Sequence, residues 1–458
     1  MKDSAVNGGV VINNAVGYWC QTLIVGSVVT PSVRIMVGAD GRIARVELGA
    51  PKPGDIVLST VIPGMGNAHS HAFHRMLRGR THGNGGDFWR WRDSMYSAAS
   101  RLTPARYFEV ARAVFAEMLV CGYTAVGEFH YLHHQADGTA YDEPHAMERT
   151  IAAAARAVGI RLVLLDTAYL AGGIGRPLEP AQRAFDDGSA AGWLTRWSSL
   201  NECLSQDGVR IAAAIHSVRA VPADDIRQIV NELPSSTPLH IHISEQPQEN
   251  ADSLAAYHLT PTALLKSLGA LTQRLALVHA THLTKQDIDL IGAAGATVAI
   301  CPTTEADLGD GIGPARLLAD AGARIALGSD QNAVIDPFLE MRGLEAGERL
   351  ASGERGRFSP GELLTAATDG GYAALGLGPN RLSVGNFCDL VEVSTSSIRT
   401  AGGSAAQLPL TATATDVLRV IIGGREVARN GLLVLQDGSV LDPAVLLQTA
   451  LEQTGERA

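Results

Sequence analysis

Leu275-Ala276-Leu277-Val278-His279 and Ala296-Thr297-Val298-Ala299-Ile300-Cys301 are the stretches on which the fold turns. Each is a short continuous apolar run, and each is followed by polar residues and then a segment of helical character. Runs so short and so unbroken read as strands buried on both faces, the mark of a parallel sheet. The unit recurs at about 61–71, 122–131, 160–169, 209–219, 238–245, 275–282, 296–303 and 323–331. Eight repeats over roughly 320 residues favour an α/β fold closed into a (β/α)8 barrel of the TIM type. No G-x-G-x-x-G or Walker loop follows any run, which argues against an open doubly wound sheet. One connecting helix shows the logic. Thr103 can cap it, Pro104 suits its first turn, Tyr107, Ala111, Val114, Phe115 and Met118 form one stripe, and Gly122 follows its end.

The flanks have a different character. Ile35-Met36-Val37 and Ile43 through Leu48 bracket Asp40-Gly41, which predicts a type I′ hairpin. Val384 to Val393 and Leu418 to Val434 are strand-like runs broken by Gly385, Gly423-Gly424 and Asn430-Gly431. The barrel is therefore expected at 61–380, with 1–60 and 381–458 pairing into a small β-sandwich domain.

Composition narrows the partners. The 458 residues carry 37 Lys plus Arg against 47 Asp plus Glu, a net charge of −10, with 46% hydrophobic residues. An acidic chain is a poor match for nucleic acid or an anionic membrane surface. No apolar stretch approaches the ~18 residues of a membrane span, and Met1-Lys2-Asp3 opens no signal-peptide core, so a cytoplasmic protein is expected. The five cysteines are widely spaced and form no C-x-x-C pair. Neither a disulfide framework nor a thiolate zinc site is expected.

Barrel chemistry sits at the C-terminal ends of the strands, so residues there are candidates by position. The first run ends in His69-Ser70-His71, whose two imidazoles project from the same side of an extended chain. The fifth carries His240-Ile241-His242-Ile243-Ser244-Glu245, the sixth reaches His279, and the eighth ends in Ser329-Asp330. Any one of these has an ordinary explanation, a core histidine or a helix-capping aspartate; four together at strand ends point to a metal site. Imidazoles with a carboxylate suit Zn2+ or Fe2+ better than Mg2+ or Ca2+, and Zn2+ is favoured. Such an ion lowers the pKa of a bound water towards ~7. No lysine lies between Lys52 and Lys266, so a two-metal site bridged by a modified lysine on the middle strands is excluded. Glu245, just past its strand end, is placed to act as an acid/base towards a substrate.

With these motifs the chain resembles the amidohydrolase superfamily in its single-metal aminohydrolase branch. The resemblance implies that His69, His71, His242 and Asp330 bind the metal, that Asp330 and Glu245 shuttle protons, and that His279 orients the attacking water. Within that branch several segments resemble the formimidoylglutamate deiminase family: His69 to Phe73, Phe88 to Arg92 with Met95-Tyr96, Gly127 to His134, His216 to Val221, and Cys301 to Gly311. This implies hydrolysis of a small anionic substrate derived from an amino acid, N-formimidoyl-L-glutamate, in histidine breakdown, with Arg92, Tyr131, His216 and Arg219 lining its pocket. Two arginines suit a dicarboxylate, since guanidinium forks bind carboxylates in bidentate fashion. Trp89 and Trp91 could close over the ligand. Two departures stand out: His74 occupies a position where the family pattern has glutamine, and Gln331-Asn332 follows Asp330 where Ser-His is expected. His74 is taken as a substrate contact all the same. The rival readings are a deaminase of guanine or another heterocycle, a chlorohydrolase, or a barrel that has lost its chemistry. A homodimer is the default assembly.

Overall fold

The computed structural model describes residues 16–81, 88–205 and 209–453. Four strands open the described chain: β1 Val16–Val25, β2 Val28–Val37, β3 Ile43–Leu48 and β4 Ile56–Pro63. The barrel strands follow as β5 Met65–Ser70, β6 Tyr123–His130, β7 Arg161–Ala168, β8 Arg210–Ile215, β9 Leu239–Ile243, β10 Leu275–His279, β11 Thr297–Ile300 and β12 Arg324–Leu327. β13 Leu390–Val393, β14 Val417–Ile422, β15 Arg425–Arg429, β16 Leu432–Val434 and β17 Val440–Leu441 complete the set. β5 to β12 pair in sequence order as an eight-stranded parallel sheet, and the remaining nine strands form one sheet in the order β17-β16-β15-β14-β13-β4-β1-β2-β3.

The barrel seam lies between β5 and β12. Ser329 and Asp330 N–H donate to His69 O at 3.1 and 3.0 Å, and His71 N–H donates to Asp330 O at 2.9 Å, so backbone bonds close the C-terminal rim. The opposite part of the seam is filled by the helical segment 366–374. A Cβ on Gly371 would stand 2.2 Å from Gly66 O, and one on Gly370 2.2 Å from Ile325 O. Only a residue without a side chain permits that approach. From inside the barrel, His240 Nε2 donates to Ala374 O at 2.9 Å. The interior around it is lined by small residues, with Ala68, Ala276, Val278, Ala299, Cys301, Ala326 and Ala374 forming one buried cluster.

The helix Pro104–Val120 forms as its sequence predicts: Thr103 Oγ1 accepts Arg106 N–H at 3.4 Å, and Tyr107, Ala111, Val114, Phe115 and Met118 are all buried. Three expectations need correction. The run at 61–71 is two strands, because Val61, Ile62 and Pro63 pair with β13 in the other sheet and the barrel begins only at Met65. Gly64 is the joint, and a Cβ there would meet Thr124 Oγ1 at 2.2 Å. The β2–β3 turn is not type I′: Gly41 has φ +75° but Asp40 has no positive φ, and a register shift at Met36/Val37 absorbs the difference. The C-terminal segment is not all β, since Pro443–Gln453 is a helix packed on Pro104–Val120. The terminal sheet is a single ladder that curls back on itself. Tyr18 Oη donates to Gly424 O at 2.9 Å, and Cys388 N–H to Gly41 O at 3.0 Å. Its own core, including Cys20, Ile35, Leu58, Leu390 and Ile421, draws on both termini. No described helix is long and apolar enough to cross a membrane.

Candidate active site

The strand ends that meet at the C-terminal rim are bent. Ser244, His279, Ala280, Asp330 and Asn332 all have positive φ, from 42° to 68°. Such backbone is costly in residues other than glycine and persists where surrounding bonds hold it. Here those bonds are visible at the seam. Asn67 Oδ1 accepts Ser329 N–H at 3.0 Å, Ser329 Oγ donates to Asn332 Oδ1 at 2.6 Å, and Asn332 Nδ2 donates to His71 O at 3.0 Å. The departure at 331–332 is thus accommodated. Asn332 tolerates the left-handed backbone and ties the loop to β5, and Gln331 Nε2 donates to Asp307 Oδ2 at 2.6 Å.

His69, His71, His242 and Asp330 are buried and bring their ligand atoms within 4.8 Å of one another. His69 Nε2 lies 3.0 Å from His242 Nε2, which is 3.4 Å from His71 Nε2; Asp330 Oδ1 stands 3.1 and 3.4 Å from the His69 and His71 Nε2 atoms. Two of the rings have a fixed tautomer. His71 Nδ1–H donates to Phe129 O at 2.9 Å and His242 Nδ1–H to His216 O at 2.9 Å, which turns a lone pair on each Nε2 towards the centre. Burial, with His69 adding to it, pushes His71 down to about 3, and burial also holds His69 and His242 well below the usual imidazole range. Neutral rings aiming lone pairs at one another and at a carboxylate repel. A divalent cation at their centre removes that repulsion, and three nitrogens with one oxygen suit a zinc-like ion.

Beside this cluster stand Glu245 and His279. His279 Nε2 is 3.8 Å from both Glu245 Oε1 and Asp330 Oδ2, and its Nδ1 is 3.4 Å from Glu305 Oε1. Burial alone would lower His279; Glu305, Glu245 and Asp330 outweigh it and raise it to about 10. Arg219 Nη2 donates to Glu245 Oε2 at 2.9 Å, and Arg219 Nε lies 3.2 Å from Glu249 Oε2. Glu249 is pushed up to about 6 by burial, against the pull of Arg219.

One cavity opens over these groups. His74, Arg92, Tyr131, His216 and Arg219 all line it together with His71, Glu245, His279 and Asp330. His74 Nε2 is 2.9 Å from Tyr131 Oη, so the histidine standing in the glutamine position is braced against a second expected contact. Trp91 lines the cavity too, whereas the Trp89 side chain lies outside the described residues. Arg219 differs from the expectation of an open fork, since it already spans two carboxylates.

A further His130, His133 and Glu148 group comes within 4.8 Å. It holds its own cation, with Arg196 Nη1 3.2 Å from Glu148 Oε1 and 2.8 Å from Asp166 Oδ1, and His133 donates to Glu148 and to Thr167 O. Those contacts make it a packed charge network between barrel and helices. His134 is tied to Asp187 at 3.5 Å.

An amidohydrolase family model matches residues 60–427. The chain belongs to the amidohydrolase family. Formimidoylglutamate deiminase of Pseudomonas aeruginosa is 37% identical to this hydrolase over 87% of the chain and 92% of its own length. An amidohydrolase from Brucella melitensis superposes with a TM-score of 0.88 at 31% identity, covering 96% of this chain and 99% of that one. An adenosine deaminase from Xanthomonas campestris with bound zinc gives 0.81 at 25% identity, covering 96% and 98%.

Two contributors were missed in the sequence. Glu305 sits within the quoted 301–311 segment but had no role; a carboxylate five residues past the end of β11 was its only signal. Gln182, whose Nε2 donates to Tyr96 Oη and Tyr169 Oη on the cavity wall, had none, since those partners are 86 and 13 positions away.

Proposed function

We propose that this amidohydrolase hydrolyses N-formimidoyl-L-glutamate to N-formyl-L-glutamate and ammonia. The observation that carries the reading is the meeting of Glu245, His279 and the second Asp330 oxygen beside a cation-type cluster, on the floor of a cavity that also holds Arg92 and Arg219. His69, His71, His242 and Asp330 would hold one Zn2+, which when bound supplies Lewis-acid polarisation and a water of lowered pKa. The chain's own groups do the rest. Asp330 Oδ2 and Glu245 Oε1 each stand 3.8 Å from His279 Nε2, placed to take the proton of the attacking water and deliver it to the departing nitrogen. His279, held at Nδ1 by Glu305, presents Nε2 to the oxygen added at the formimino carbon. One water is consumed, the C–N bond to the terminal nitrogen breaks, and ammonia leaves with the formyl oxygen retained on carbon.

His74, Arg92, Tyr131, His216 and Arg219 bind the acidic substrate. Glu245 and Glu249 pre-position Arg219, so its contribution is orientation of Glu245 as well as charge. We place the reaction in histidine breakdown, in the cytoplasm, carried out by a homodimer. Ammonia release from formimidoylglutamate, guanine and 5′-methylthioadenosine at equal concentration tests the substrate. The first should exceed the others by orders of magnitude, and preference for either heterocycle would overturn the reading.

A further inference from the structure

We infer that Tyr96 and Tyr169 form a carboxylate-binding wall at the far end of the cavity, with Gln182 as the residue that sets the sense of their hydrogen bonds. Gln182 is fully buried. Its Oε1 accepts the Glu179 backbone N–H at 2.7 Å, and a backbone amide can only donate, so the orientation of the side-chain amide is fixed. The Nε2 group must then face the tyrosines, and it does, donating to Tyr169 Oη at 2.8 Å and Tyr96 Oη at 2.9 Å. An amide nitrogen has no lone pair to offer. Both phenol oxygens are therefore acceptors towards Gln182, and each phenol's own proton has to go elsewhere. The two oxygens are 3.5 Å apart, which can use one of those protons at most.

At least one hydroxyl proton is thus turned outward, and both phenols border the cavity. Burial together with Tyr96 pushes the Tyr169 hydroxyl well above its ordinary range, so the proton stays on. Two guanidinium groups add positive charge on this side, where the Glu179 carboxylate also borders the cavity. Arg92 Cζ lies 5.6 Å from the Tyr96 ring centre, and the Arg92 and Arg219 charges both reach the Tyr169 oxygen. A wall of hydroxyl donors is complementary to an anion. Its distance from the chemistry selects which anion. The Tyr169 ring is 4.4 Å from His216, and His216 is 5.1 Å from His242, so the wall stands two rings away from the ligand cluster. That spacing suits the carboxylate remote from the reacting carbon. This deepens the proposed function, because it rests on the substrate being an acidic formimino compound.

Gln182→Glu tests it with almost no change in shape. The new carboxylate still accepts Glu179 N–H, but it now accepts from both tyrosines as well, drawing their protons inward and adding a negative charge behind the wall. Two readouts separate this inference from the reaction itself: the Kd of glutarate, a plain dicarboxylate that is not turned over, and KM and kcat with formimidoylglutamate. Losing a hydrogen bond to a charged group predicts a rise in both Kd and KM on the order of tenfold to a hundredfold, with kcat altered a few-fold at most. An N-alkylformamidine, which carries no carboxylate, should lose far less kcat/KM than formimidoylglutamate does. Tyr169→Phe, which leaves Gln182 in place, should weaken glutarate roughly tenfold and serves if Gln182→Glu fails to fold. Wild-type protein that does not bind glutarate, or folded variants that bind it as well as wild type, overturn the assignment. Weaker glutarate binding in a protein whose wild type releases no ammonia from formimidoylglutamate would instead uphold the wall and overturn the proposed reaction.

Discussion

Glu245→Gln is the sharpest test of the site, because the structure separates its effect on chemistry from its effects on binding and folding. The carboxylate has two oxygens with different neighbours: Oε1 stands 3.8 Å from His279 Nε2, and Oε2 accepts Arg219 Nη2 at 2.9 Å. Glutamine keeps an oxygen for Arg219, which also remains held by Glu249 at 3.2 Å. The lost property is the ability to take up and release a proton. A positioned acid/base is worth roughly 10²–10⁴ in rate, or about 3–5 kcal/mol of barrier at ~1.4 kcal/mol per decade. The variant should therefore lose two to four decades of kcat in a coupled ammonia assay, with KM shifted only a few-fold. Bound metal should stay at the wild-type level by elemental analysis, since Glu245 lies outside the four-residue cluster. A variant with full turnover would refute the proton role. One that loses its metal would show that the four-residue cluster is the wrong set.

Substituting either of two proposed ligands from different strands, His69→Ala or His242→Ala, should reduce bound metal several-fold and abolish turnover, whereas His134→Ala should leave the metal content unchanged. Chelation should inactivate the enzyme, and Zn2+ should restore it. Acid sensitivity follows from the buried imidazoles. His71 sits at about 3 and His240 at about 4 in the folded chain, both lowered chiefly by burial, so the unfolded chain binds more protons below about pH 6.5. Their stability contribution is complete above that pH and is lost as pH falls towards the folded values. Between pH 6.5 and 5.5 the two together should cost about 2 kcal/mol, read from urea midpoints of metal-free protein. Flat midpoints across that window would contradict neutral burial. Gly371→Ala should destabilise by about 1–3 kcal/mol through its clash with Gly66 O, read as a drop of several degrees in Tm; an unchanged Tm would contradict the close approach at the seam.

Much of the barrel was legible because a strand buried on both faces has little choice of residue: Leu275 to His279 and Thr297 to Ile300 are almost wholly apolar, and the structure ends each strand three residues before the run read from the sequence. The four-residue cluster was legible for a related reason, since strand ends point at a common axis. The run at 61–71 was misread because two sheets share it. Hydrophobicity says that Val61 and Met65 are buried, not against which neighbours, and the joint at Gly64 is set by Thr124, far away in the chain. Gly370 and Gly371 look like a loop in sequence; their need for small size comes from Gly66 and Ile325 backbone that no local pattern reveals. The Gln182 network was illegible because a glutamine between two tyrosines has no periodicity.

The seam between the first and last barrel strands has a consequence for biogenesis. Along it, Asn67 and Ser329 are joined across 262 residues of chain, and the same closure brings His69 and His71 to Asp330. A nascent chain emerging from the ribosome can present the two early imidazoles long before the late carboxylate exists. Loading of the ion and circularisation of the sheet would then be one late event, and an immature protein starved of metal should show a slack staple at this join before any other part of the wall loosens.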